Sequence, residues 1–142
     1  MEECLYQEVT RITIGSSSGY GCIEDAWEDR VVITNHSVHY EFKPETQVKL
    51  KPISWTAKAN GFEHQQLFQE LSKAVMTTIC SSSLKDFYDD VGMIALSLAF
   101  TDKSKKTKHF YVLPEDLEPC FSIMKKIVKL AINAPEGMFA YE

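Results

Sequence analysis

Several things are scarce in this chain, and each scarcity removes a class of protein. Cys4, Cys22, Cys80 and Cys120 lie far apart and form no CxxC pair, which fits free thiols in a reducing compartment better than a disulfide framework. Basic residues are outnumbered, 15 Lys and Arg against 20 Asp and Glu, for a formal net charge of −5. Generic nucleic-acid binding needs clustered cations to neutralise phosphates, so nucleic acid is an unexpected partner. No stretch reaches the eighteen or so consecutive apolar residues of a membrane helix, and the N-terminal MEECLYQEV has acids where a secretory signal has a basic start and an apolar run. The expectation is a cytoplasmic protein without a membrane partner. Internal repeats and Pro-rich linkers are also missing, so residues 1–142 are expected to form one domain, with 133–142 as a C-terminal tail.

What remains is ordinary globular composition. Apolar residues make up 44% of the 142 and charged residues 25%, enough to build a core and too balanced for global disorder. The charge is unevenly placed: residues 1–71 hold 6 basic and 11 acidic residues, residues 72–142 hold 9 of each.

Periodicity predicts the elements. A first strand spans Tyr6–Ile14, with a weak apolar signal that suits an edge. A second runs over Arg30–Thr34, a turn falls at Asn35-His36, and a third strand covers Ser37–Lys43 with Val38, Tyr40 and Phe42 on one face. That alternation is the pattern of a half-buried strand entering a hairpin. Lys49–Ala57 gives a fourth strand with Ile53, Trp55 and Ala57 on one side, and Pro52 there favours an edge or a bulge. Asn60 and Glu63 have capping-box spacing. Leu67, Phe68, Leu71, Val75 and Ile79 then form the stripe of an amphipathic helix ending near Cys80. Met93–Phe100 is a strand with a large apolar face (Ile94, Leu96, Leu98, Phe100) and a small one (Ala95, Ser97, Ala99) that lets another backbone come close. A loop at Thr101–Thr107 and a returning strand at Lys108–Leu113 follow. The second helix starts after Pro114, carries Glu115, Asp116 and Glu118 early and Lys125, Lys126 and Lys129 late, and buries Leu117, Phe121, Met124, Val128 and Ala131. The fold class is α+β: a mainly antiparallel sheet of about six strands with two helices on one face, in the order ββββ-α-ββ-α.

The segment Gly15–Asp29, GSSSGYGCIEDAWED, is the least explained by fold alone. Its glycines and serines suit an anion cradle, yet it has neither the GK[ST] ending of a P-loop nor the GxGxxG of a dinucleotide site, and it continues into four acids that repel phosphate. Glu24, Asp25, Glu28 and Asp29 suggest a weak divalent-cation site, without EF-hand spacing. Cys22 with His36, His39 or His109 as base would make a small hydrolase or thiol enzyme, but the acids around Cys22 raise its pKa and blunt it. His36-x-x-His39 has only Glu41 nearby to complete a metal set. The run Lys103–Lys108 is read as a solubilising hairpin tip that discourages edge pairing. Asp86, Tyr88 and Asp89-Asp90 form a second acidic loop.

The reading that survives is a non-enzymatic protein-binding module with no catalytic residue, no metal and no cofactor assigned. Tyr20 and Trp27 in the loop, and Phe139 and Tyr141 in the tail, are the expected partner anchors, since exposed aromatics dominate interfaces. A homodimer through a sheet edge or through the tail is the further possibility.

Overall fold

The computed structural model describes residues 8–17, 26–44, 51–59, 61–80, 93–110 and 117–132. Six strands, β1 (Val9–Ser17), β2 (Trp27–Ile33), β3 (Ser37–Pro44), β4 (Ile53–Lys58), β5 (Ile94–Phe100) and β6 (Lys105–Phe110), join two helices, α1 (Phe62–Cys80) between β4 and β5 and α2 (Cys120–Ile132) after β6. The sheet order is β4-β3-β2-β1-β5-β6, and every neighbouring pair is antiparallel. This is the α+β arrangement and ββββ-α-ββ-α order read from periodicity.

Strand alternation divides the sheet into two unlike faces. Ile12 and Ile14, Val31 and Ile33, Val38, Tyr40 and Phe42, and Ile94, Leu96, Leu98 and Phe100 all point to one side and are buried. The helices cover that side: α1 lies over β5 and β6, α2 over β3 and β4, and the two pack on each other. Phe68, Leu71 and Val75 supply the α1 stripe, and Phe121, Met124, Ile127 and Val128 that of α2. Fully burying side chains of this size contributes roughly 1.5–3 kcal/mol each, so this layer supplies most of the driving force for folding.

Thr34, Asn35 and His36 join β2 to β3. Thr34 accepts hydrogen bonds at Oγ1 from the backbone N–H groups of His36 (3.1 Å) and Ser37 (3.0 Å), and its own N–H donates to the Ser37 carbonyl (2.9 Å). The start of α1 docks on this hairpin. His64, 1% exposed, donates from Nε2 to the Thr34 carbonyl (2.8 Å) and stacks on Phe68, while Gln65 Nε2 donates to the Asn35 carbonyl (2.7 Å).

Several expectations need correction. β1 is not an edge strand but lies inside the sheet, between β2 and β5; its apolar signal is weak because Ile12 and Ile14 are its only fully buried apolar residues, the next inward position is Ser16, and Thr13 and Gly15 face away. Gly15–Ser17 and Trp27–Asp29 belong to strands, so the connection expected over Gly15–Asp29 is shorter. β4 starts at Ile53, after Pro52, and β6 starts at Lys105 rather than Lys108. The tighter hairpin tip is made possible by Lys103, which takes a left-handed φ of 71°, and by Asp102, whose Oδ1 accepts from the Ser104 N–H (2.9 Å). α2 begins at Cys120, so Glu118 and Pro119 precede it instead of occupying its first turn. The Asn60 cap, the Lys49–Leu50 part of β4, residues 111–113, Glu115 and Asp116 lie outside the described residues.

Candidate functional site

The face of the sheet away from the helices carries a shallow trough of about 260 Å³. Its floor is small: Gly15 and Ala95 are register partners, as are Thr13 and Ser97, and all four are half-buried. A Cβ placed on Gly15 would meet the Asp29 carbonyl at 3.5 Å and the Ala95 Cβ at 4.0 Å, both ordinary contacts. The glycine is therefore not forced by a clash; its missing side chain sets the depth of the trough. Ser17 closes one end, where its N–H donates to the Met93 carbonyl (2.9 Å) and its Oγ accepts from the Met93 N–H (3.2 Å).

One wall is charged, and the signs alternate. Glu28 is the register partner of Lys43, and Arg30 that of Glu41. Arg30 and Glu41 are joined in an ion pair. The hydrogen bond from Arg30 holds the Glu41 carboxyl below the usual carboxylate range, partly opposed by desolvation, with the Lys43 and His39 charges helping. His39 lies on the same face, its Nδ1 2.6 Å from Thr56 Oγ1 and its Nε2 3.8 Å from Glu41. The trough thus offers cations and carboxylates side by side above a floor on which a backbone can rest.

On the other side of the sheet sits a polar group that periodicity alone had left among the loop acids. Asp29 is 6% exposed and accepts a hydrogen bond at Oδ2 from the Tyr40 hydroxyl (3.1 Å). Loss of water pushes its carboxyl up to about 7 from 3.8, against the smaller downward pulls of Tyr40 and Ser16. Ser16, the cross-strand partner of Asp29, is also buried. The signal was present in the phase of the strands: Asp29 keeps step with Val31 and Ile33, and Ser16 with Ile12 and Ile14.

The remaining candidates separate. Trp27 is in phase with Asp29, so it lies on the helix side, half-buried against the core with its ring 5.9 Å from Phe42. Tyr20, Phe139 and Tyr141 lie outside the described residues, as do Cys22, Glu24 and Asp25. Glu28 and Asp29, adjacent in one strand, project from opposite faces. His36 is exposed in the β2–β3 turn, and His109 is the register partner of Ala95 on β6. Among the described residues, no group of three His, Cys, Asp or Glu side chains is placed to hold a metal. Cys120 is buried, which pushes its thiol pKa up, and its Sγ lies 3.5 Å from Thr78 Oγ1. No helix among the described residues is long and apolar enough to cross a membrane.

The chain matches no family model and no curated protein.

Proposed function

We propose that the protein is a non-enzymatic binding module of the cell interior. It takes an extended polypeptide segment on the helix-free face of its sheet. The trough carries this reading: a floor of Gly15, Ala95 and Ser97 beside the alternating charges of Glu28, Arg30, Glu41 and Lys43. Such a surface admits a backbone closely and selects for side chains of both signs. Antiparallel sheets commonly leave one face to water, but a merely solvated face has no need of a concave floor of small residues. Tyr20, Phe139 and Tyr141 are proposed as further partner contacts, together with whatever part of the half-buried Trp27 ring faces outward, and a second copy of the chain is among the proposed partners. The alternative of a cation site over residues 24–29 draws less support, because Glu28 and Asp29 diverge across the sheet, and a thiol enzyme built on Cys22 remains the other alternative.

The test is selection of a displayed peptide library on the immobilised protein. Peptides of mixed charge should be enriched, and Ser97→Tyr, which fills the trough, should abolish their capture without lowering the melting temperature. Equal capture by wild type and Ser97→Tyr would refute the assignment of the trough.

A further inference from the structure

The sheet has two edges, and they are built differently. β6 is guarded: Lys105, Lys106 and Lys108 crowd six residues, and Lys106 and Lys108 are the register partners of Leu98 and Leu96, which places these lysines in phase with the core-facing side. Inward-phase lysines on an edge strand deter a further strand from pairing. β4 has no such device. Ile53–Ala57 contains no charged residue, includes Ile53, Trp55 and Thr56 with high strand propensity, and leaves Ile53 42% exposed.

The hydrogen-bond phase of β4 is fixed by its end. The Ala59 N–H donates to the His36 carbonyl (2.9 Å), and in an antiparallel ladder hydrogen-bonded positions recur at every second residue. Ala57, Trp55 and Ile53 therefore turn their backbone groups to β3, while Ser54, Thr56 and Lys58 turn theirs outward. Among the described residues, no backbone group pairs with these outward ones.

We propose that β4 is a dimerisation strand, pairing antiparallel with β4 of a second copy about a two-fold axis at Thr56. This inference rests on the second-copy part of the proposed function and specifies its edge and register. The strand is complementary to itself in that register. Thr56 meets Thr56, so their outward N–H and C=O groups exchange two hydrogen bonds, and Ser54 meets Lys58 twice by symmetry. On the helix side Trp55 of one copy lies opposite Ala57 of the other, large against small. No two like charges face each other. The Thr56 hydroxyl, already bonded to His39 on the open face, stays clear of the new ladder. An unrelated extended peptide would gain the backbone bonds but not this matched set of side chains at both ends.

Sedimentation equilibrium of the full chain should show a monomer–dimer equilibrium. Thr56→Lys places two lysines directly opposite one another and should weaken the dimer at least about tenfold, equivalent to ~1.4 kcal/mol, with an unchanged circular dichroism spectrum. Ser54→Lys, which faces Lys58 of the other copy, should do the same and covers the case in which Thr56→Lys does not fold. Hydrogen exchange should show the amides of Ser54, Thr56 and Lys58 gaining protection as concentration rises, while those of Ile53, Trp55 and Ala57 are protected throughout. A wild-type chain that stays monomeric, a dimer untouched by both lysine variants, or outward amides indifferent to concentration would overturn the proposal. Ser97→Tyr should abolish peptide capture and leave the dimer intact, so failure at one surface is distinguishable from failure at the other.

Discussion

Replacing Asp29 by asparagine should make the protein more stable at neutral and alkaline pH and leave it nearly unchanged in mild acid. The carboxyl holds its proton up to about 7 in the fold and releases it near 3.8 in water. Between those values the folded state binds more protons than the unfolded chain, so stability falls as pH rises. This contribution is fully present below about pH 4, declines through the window from about 4 to 7, and is gone above it. At about 1.4 kcal/mol per unit, the roughly three-unit difference amounts to about 4 kcal/mol once the group is ionised. Asparagine keeps the size and can still accept from the Tyr40 hydroxyl, but carries no charge to desolvate. Urea unfolding of both proteins from pH 4 to 9 measures the effect: the two curves should coincide near pH 4 and separate progressively, with the variant ahead by up to about 4 kcal/mol at pH 8. The difference between the curves isolates this group from Glu41, whose lowered pKa acts in the opposite direction and only in acid. Parallel curves would mean that Asp29 is solvated, and the reasoning from burial would fail.

Other substitutions probe packing. Trp27→Ala removes a half-buried ring that packs on Phe42 and should cost about 2 kcal/mol, below the range for a fully buried aromatic; no loss in chemical denaturation would put the ring outside the core. His64→Ala strands the Thr34 carbonyl and unseats α1 from the β2–β3 hairpin, for a loss of roughly 2–4 kcal/mol and faster exchange of the first α1 amides. Cys120 should alkylate far more slowly than Cys80 in the native protein and at a similar rate in urea, as mass spectrometry of labelled peptides would show.

The elements were legible wherever one face of a strand or helix is apolar without interruption. Val38, Tyr40 and Phe42 announced β3, the Ile94–Phe100 alternation announced β5, and the Phe68, Leu71 and Val75 stripe announced α1. Reading failed where a core position is polar or a strand residue is small. Ser16 and Asp29 occupy inward positions of β1 and β2, so the strands there looked like loop, and β1 passed for an edge though it lies inside the sheet. The trough was half-visible as the Ala95, Ser97 and Ala99 face. Its other half depends on Gly15 lying opposite Ala95 and on Arg30 lying opposite Glu41, pairings set by sheet order and register, which no local pattern encodes. Trp27 shows the complementary limit: its size marked it as important, but only its phase with Val31 reveals the side on which it packs.

The unequal guarding of the two edges bears on how large an assembly can grow. A sheet with two open edges adds copies at both ends and propagates into a fibre. In the proposed dimer a strand laid along β4 would consume the unguarded edge of each participant's described sheet, and the joined sheet would then end at both sides in a lysine-lined β6. Growth would terminate at two copies, because such a two-fold pairing is closed and presents no fresh edge. The lysines of β6, far from the proposed contact, would thereby set the stoichiometry.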